Sequence, residues 1–280
     1  MAHPDRYLLA GVMGWPVMHS RSPRLHNHWL RKHGLVGTYL PLAIKREGLK
    51  PALRALAPLG FAGCNLTIPH KMLAVDIVDE VQPLARRIGA CNCIVVRADG
   101  SLEGRNYDGW GYIHSILEAA PDWRADSGPI VVLGAGGGAR GIVASLAEHG
   151  AREIRIANRT AARAEALARE LGGPLRPVAW EERARALDGA AMLINTTSLG
   201  MQGQPPLELD LARLPRTALV SDIIYVPRET GLLAAARARG HRTVNGLGML
   251  LHQARPAFEA WFGVLPEVTA ELRAEIEATH

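Results

Sequence analysis

The chain has 280 residues, 48% of them hydrophobic and 21% charged, with a formal net charge of +5. That is enough chain for two modest cores with an ordinary water-facing surface. No apolar run approaches the roughly 20 residues of a membrane span, and residues 1–7 lack the apolar core of a secretion signal, so a cytoplasmic protein with no membrane partner is expected.

In chain order, periodicity and punctuation predict a strand over 7–12, a helix over 23–32, a strand over 38–44, a helix over 46–57 and a strand over 61–66. This alternation implies a parallel α/β sheet. A helix starting near Pro69 follows, then short strands around 91–97 and 101–103 and a long helix over 108–119. The loop 121–128 is the hinge candidate. Beyond it come strands over 129–133 and 153–157, helices over 140–149 and 161–171, strands at 192–195, 218–222 and 243–244, and a closing helix over 246–261. Cys64, Cys91 and Cys93 lack the spacing of a zinc site, which predicts free thiols, no disulfide and no metal. Scattered arginines with few aromatics between them argue against nucleic acid; a small anionic substrate suits the charge balance.

The strand over 129–133 runs into Gly134-Ala135-Gly136-Gly137-Gly138-Ala139 and then a helix. Gly134 permits the tight turn, Gly136 lets backbone N–H groups approach a pyrophosphate, and small Ala139 lets helix and strand pack closely. The helix N-terminus attracts the anion. Where NAD-binding folds carry an acid for the ribose hydroxyl, this chain has Asn158-Arg159-Thr160, with Arg163 one turn on. Arginine pairs with phosphate in a bidentate fork, so the cofactor expected is NADP.

Only four of the 32 basic residues are lysine: Lys32, Lys45, Lys50 and Lys71. Arginine keeps its proton in proteins, whereas lysine can serve as acid or base, so a retained lysine can mark proton chemistry. Lys71 lies in Asn65-Leu66-Thr67-Ile68-Pro69-His70-Lys71, where a strand ends just before the expected helix, and a lysine in that first turn would feel the positive helix end. Asp108 opens the long helix and reads either as an N-cap or as a catalyst. Ser22-Pro23 reads as N-cap and first helical residue, which leaves Ser20 without a structural role; two hydroxyls so spaced could hold a carboxylate.

Taken together, these segments resemble the shikimate dehydrogenase family over nearly the whole chain. The likeness rests on Gly14 to Asn27 with Ser20, Ser22 and His26, on Asn65, Thr67, Pro69 and Lys71, and on Asn92 and Asp108. It continues through the Gly134 loop, Asn158-Arg159-Thr160, Asn195 to Met201, Asp222 to Pro227 with Tyr225, and Gly246 to Ala254 with Gln253. The resemblance implies an α/β substrate domain over 1–108 with 246–280, the C-terminal helices returning to it, and a doubly wound Rossmann-type NADP-binding domain over 109–245. It implies reversible hydride transfer between NADP and the C3 alcohol of shikimate, in a monomer or homodimer. Lys71 would exchange the alcohol proton and Asp108 would orient it. Ser20, Ser22 and Tyr225 would hold the carboxylate, and Asn65, Thr67, Asn92 and Gln253 the ring hydroxyls. Thr197, Gly246 and Met249 would border the nicotinamide.

Two positions depart from the family pattern. Cys93 and Tyr107 stand where threonines are usual, beside residues expected to hold the ring. They leave open a paralogue acting on quinate, an aminoshikimate or another hydroxylated cyclohexane carboxylate. From a different class, an NADP-binding protein without turnover also stays open. Both side chains either line the ring or belong to the core behind it.

Overall fold

A computed structural model describes residues 7–278. Residues 1–6, most of the stretch read above for a secretion signal, and residues 279–280 lie outside the described residues. The chain divides into two compact units, one holding the described residues up to Asp108 and from Leu250 onward, the other holding Gly109–Met249.

The first unit begins with β1 (Leu8–Gly14), α1 (Ser22–Lys32), β2 (Gly37–Ala43), α2 (Leu49–Ala55) and β3 (Phe61–Leu66). It continues with β4 (Glu80–Val81), α3 (Pro83–Ile88), β5 (Cys93–Val96) and β6 (Leu102–Arg105). The sheet order is β2-β1-β3-β5-β6-β4. β1 runs parallel to β2 and β3, but β5 is antiparallel to both β3 and β6, so the sheet is mixed rather than parallel throughout. The reason is local. β5 and β6 are joined by a tight turn, with Arg97 N–H bonded to Ser101 O and Gly100 at φ +83°, and a turn that short permits only an antiparallel pair.

The helix expected at Pro69 is absent. Residues 68–72 form turns, followed by a short 3-10 turn at Leu73–Asp76. The Lys71 carbonyl, which a helix would pair with the Val75 N–H, accepts instead from Cys91 N–H at 2.8 Å. The argument from a helix dipole at Lys71 lapses with that helix.

α4 (Asp108–Ala119) carries the chain into the second unit. There follow β7 (Ile130–Leu133), α5 (Gly137–Glu148), β8 (Ile154–Ala157), α6 (Ala161–Leu171), β9 (Leu175–Val178), β10 (Met192–Asn195), β11 (Leu219–Asp222), α7 (Gly231–Ala238) and β12 (Thr243–Val244). All pairings are parallel, in the order β12-β11-β10-β7-β8-β9. β7 and β10 are buried at every residue, as strands covered on both faces must be. The direction of winding reverses between β7 and β10, which is where such sheets bind ligands.

α8 (Leu247–Phe262) then returns the chain to the first unit, and α9 (Ala270–Glu277) follows. The crossing falls at Met249 and Leu250 rather than at Gly246, because Val244 and Met249 pack into the second unit's core. In the first unit, one apolar cluster gathers Met13, Leu49, Leu53, Cys64, Leu66 and Ile94. A separate aromatic cluster joins α1 and β2 to α8, through His26, Trp29, Tyr39, Phe258 and Trp261. Trp261 Nε1 donates to Ile94 O at 2.9 Å, tying α8 to β5.

Candidate active site

Two backbone bonds bring distant segments together at the end of β3: Leu66 N–H to Asn92 O and Cys91 N–H to Lys71 O. Lys71 thereby lies beside the first residue of α4, and its Nζ donates to Asp108 Oδ2 at 2.7 Å. Asn92 Nδ2 donates to the other oxygen, Asp108 Oδ1, at 2.8 Å and to Gln253 Oε1 at 3.3 Å. Asn92 Oδ1 in turn accepts the Tyr107 N–H at 2.8 Å. The Asp108 side chain is 4% exposed and that of Lys71 18%, so the acid is enclosed while its partner amine keeps an opening to solvent. Such a pair can hold a proton at one atom and hand it to a ligand.

Asn65 is buried in the same network. Its Nδ2 donates to Asn92 O at 3.0 Å, and its Oδ1 accepts from the Tyr39 hydroxyl at 2.7 Å. Thr67 follows, half-buried, its N–H bonded to Met13 O. A Cβ at Gly14 would lie 2.4 Å from Thr67 Cγ2, so only glycine lets these two segments approach. Of the expected residues, the first unit therefore joins Lys71, Asp108, Asn65, Asn92 and Gln253 in one hydrogen-bonded set. Ser20 and Ser22 are not part of that set: Ser20 lies on the turn before α1, and Ser22 is the first residue of α1, whose N-cap is Arg21 and not Ser22 as expected. Ser20 Oγ accepts the Ser22 N–H at 3.3 Å, which gives Ser20 the local role the sequence had denied it.

Cys93 is fully buried, and burial pushes its thiol well up. In register it faces Asn65 on one side and Arg105 on the other. Its thiol is closed off from solvent and sits on the same face of the sheet as the Asn65 side chain. Tyr107 is half-buried, and its phenol accepts from Arg105 Nη1 at 3.2 Å. Arg105 is itself paired with Glu103, so the phenol is held by a fixed partner.

In the second unit, Gly134 adopts φ +106°, and a Cβ there would lie 2.6 Å from Thr196 Oγ1 on the neighbouring strand's loop. Gly136 is the N-cap of α5 and has no side-chain cap; a Cβ on it would point into open space. Gly137, Gly138 and Ala139 form the first turn of α5, which starts three residues earlier than expected, and Ala139 is fully buried. This cradle fits a dinucleotide pyrophosphate. Arg159, Thr160 and Arg163 are exposed at the start of α6, and neither arginine forms an ion pair with a described residue. Thr160 is the N-cap but makes no side-chain cap bond, and Asn158 Nδ2 donates to Thr160 O at 2.9 Å. The donor set, free of acids from Asn158 to Ala164, fits a 2′-phosphate.

Two residues with no assigned role organise the adjoining loops. Asn195, at the end of β10, accepts on Oδ1 from Thr197 N–H and from Thr197 Oγ1, and donates through Nδ2 to Leu199 O and Asp222 Oδ1. Asp222, at the end of β11, also accepts from Ile224 N–H and the Thr230 hydroxyl. Burial raises its carboxyl above the ordinary carboxylate range. A single buried pair thus fixes Thr197 and the start of the segment that carries half-buried Tyr225. A polar residue ending an otherwise apolar strand was the signal that could have found Asn195. Gly246 N–H bonds to Ile224 O, and Met249 is 9% exposed within the second unit's core.

A doubly wound parallel sheet with an uncapped glycine turn at its switch point defines a dinucleotide-binding protein. Three family models match the chain: "Shikimate dehydrogenase substrate binding domain" over residues 12–94, "Shikimate / quinate 5-dehydrogenase" over 119–202, and "Shikimate 5'-dehydrogenase C-terminal domain" over 246–270. Shikimate dehydrogenase (NADP(+)) of Paramagnetospirillum magneticum is 58% identical over 266 residues, covering 95% of this chain and 96% of its own. That of Cereibacter sphaeroides strain KD131 is 47% identical over 279 residues, the whole of both chains. Among solved structures, shikimate 5-dehydrogenase from Thermus thermophilus in complex with NADP(H) and shikimate has a TM-score of 0.85 at 36% identity, covering 96% of this chain and 98% of that one. Quinate dehydrogenase from Corynebacterium glutamicum in complex with NAD has a TM-score of 0.87 at 31% identity, covering 96% and 98%. The chain belongs to the shikimate dehydrogenase family.

Proposed function

We propose that the protein catalyses the reversible, NADP-dependent oxidation of the C3 alcohol of shikimate to 3-dehydroshikimate, a step in aromatic amino-acid biosynthesis. The observation that carries this reading is the 2.7 Å contact of Lys71 Nζ with Asp108 Oδ2, in a chain 58% identical to a protein named shikimate dehydrogenase (NADP(+)). We place it in the cytoplasm, as a monomer or homodimer.

Oxidising a secondary alcohol removes a hydride from carbon and a proton from oxygen. NADP held at the Gly134 and Gly136–Ala139 turn would supply the hydride acceptor in oxidation and the hydride donor in reduction. Lys71 Nζ takes the hydroxyl proton in oxidation and gives one back in reduction. Asp108 Oδ2 accepts one of the amine's N–H bonds and so aims it, while Asn92 on Oδ1 stops the carboxylate from turning. Both Asn92 N–H groups are committed, to Asp108 and Gln253, so Asn92 meets a ring hydroxyl through the second lone pair of its Oδ1. Asn65, Thr67 and Gln253 complete the contacts to the ring. Ser20, Ser22 and Tyr225 hold the carboxylate.

On the cofactor side, Gly134 and Gly136–Ala139 cradle the pyrophosphate. Asn158, Arg159, Thr160 and Arg163 bind the 2′-phosphate, and Thr197, Gly246 and Met249 border the nicotinamide. The test is NADPH consumption by the purified protein on adding 3-dehydroshikimate, against a panel with quinate and close analogues in the oxidative direction. Turnover of 3-dehydroshikimate with NADPH preferred to NADH is expected. Turnover of another ring acid only would replace the substrate, and none at all would leave a binding protein.

A further inference from the structure

Tyr39 is 1% exposed on β2, in an aromatic cluster that a phenylalanine would fill equally well. His26 stacks on its ring at 4.2 Å between centroids and 8° between planes, and Trp261 lies against it at 6.0 Å. Burying a hydroxyl among such rings is unfavourable unless the hydroxyl has work to do. Its partner is Asn65 Oδ1, at 2.7 Å.

The direction of that bond is settled by its neighbours. Asn92 O can only accept, so the Asn65 Nδ2 that lies 3.0 Å from it must be the donor end of the amide. Oδ1 therefore faces Tyr39, and the phenol donates. Burial pushes the phenol well above its usual range, which keeps it protonated and donating. Asn65 then retains one N–H, at a fixed angle, for a ligand.

The backbone of Tyr39 is held as firmly as its ring. Asn27 Nδ2 donates to Tyr39 O at 2.9 Å, and Asn27 Oδ1 accepts Tyr39 N–H at 2.8 Å. His26 and Asn27 are adjacent on α1, four and five residues after Ser22. Burial lowers His26 to about 3, so it stays neutral beside the phenol.

We propose that Tyr39 is a positioning residue for the substrate ring, acting through Asn65, and that His26 and Asn27 of the opening motif serve the site by holding Tyr39 in place. The motif then has two outputs: its serines face the ligand directly, while its last two residues act at one remove. This rests on the proposed reading of Asn65 as a ring contact.

The test is a double-mutant cycle on the Michaelis constant for shikimate with Tyr39→Phe, Asn65→Ala and the pair, with shikimate dissociation constants from calorimetry for variants too slow to assay. Loss of one neutral hydrogen bond corresponds to about threefold to tenfold, so Tyr39→Phe raises the shikimate KM by that factor. It leaves the NADP KM unchanged, and it adds nothing once Asn65 is alanine. A milder variant, Asn27→Ser, moves the shikimate KM in the same direction. Equal effects of Tyr39→Phe with and without Asn65, or a parallel rise in the NADP KM, would overturn the proposal in favour of general packing. An unchanged shikimate KM would overturn it outright. The cycle runs equally well with any ring acid the wild type turns over, so failure with shikimate alone counts against the substrate and not against Tyr39.

Discussion

Asp108 and Arg159 are both charged residues at the start of a helix, and they are held in opposite ways. Asp108 has a side chain 4% exposed, with each carboxylate oxygen bonded to a fixed donor. Arg159 is exposed and forms no ion pair among the described residues. On the proposed reading, the contrast follows from what each has to do. A proton moves only between atoms aligned to within a fraction of an ångström, so the groups that aim Lys71 must be in place before the ligand arrives. A phosphate brings its own charge, and an arginine can wait in water and close on it. The first region stores its order in buried hydrogen bonds, whereas the second supplies charge and an open cradle.

The largest expected effect breaks the ordered region. Lys71→Ala and Asp108→Asn should each lower kcat by about two to four decades, the scale of general acid–base catalysis, with the NADP KM little changed. Because the two act as a unit, the double variant should be scarcely worse than either, as steady-state kinetics on the three proteins would show.

The charged region should fail differently. Arg159→Ala should raise the NADP KM by about one to two decades and spare NAD, since a charge-assisted hydrogen bond is worth roughly 1.5–3 kcal/mol. An exposed pair is screened, so added salt should weaken NADP binding by the wild type and affect the variant less. Equal loss for NAD and NADP would remove Arg159 from the phosphate site.

Asn195 and Asp222 test whether the second unit also contains buried order. Asn195→Ala leaves Asp222 and the Thr197 loop short of partners and should cost about 1–3 kcal/mol in urea unfolding. The Asp222 carboxyl is raised in the folded protein, so the folded state binds that proton more tightly than the unfolded one. Its contribution to stability is therefore present at low pH and lost as pH rises from the ordinary 3.8 through the raised folded value. Relative to Asp222→Asn, the wild type should lose stability over that interval.

The smallest effect is a null one at the thiols. Burial pushes Cys91 up to about 12 from 9.0 and raises Cys64 and Cys93 as well. Native protein should then take up no measurable alkylating reagent at neutral pH, while unfolded protein is alkylated readily.

The two regions also differed in how far they could be read from sequence. Turn, helix and strand around Gly134 obey local rules, so the cradle and the basic run at Arg159 were legible residue by residue. Lys71 and Asp108 were picked out, but for reasons the fold altered: the helix expected at Pro69 is a set of turns, because Lys71 O is taken by Cys91 N–H from another segment. Tyr39 was invisible, since a tyrosine in a strand reads as core until its hydroxyl is seen on Asn65. Elements that bury little were missed. β9 buries only Leu175 and carries Pro177 on the sheet's edge, and β4 has two residues. α7 and α9 were overlooked although Thr230 and Thr269 accept from the N–H groups of Leu233 and Leu272, the N-cap pattern that marks a helix start.

The central claim is that Lys71 exchanges a proton and is not merely a positive charge beside Asp108. Lys71→Arg separates the two, because arginine keeps the charge and cannot give up the proton. With shikimate and NADP, the account predicts that this variant binds shikimate within a few-fold of the wild type by calorimetry and turns it over at least about two decades more slowly. Turnover by Lys71→Arg at close to the wild-type rate would contradict it.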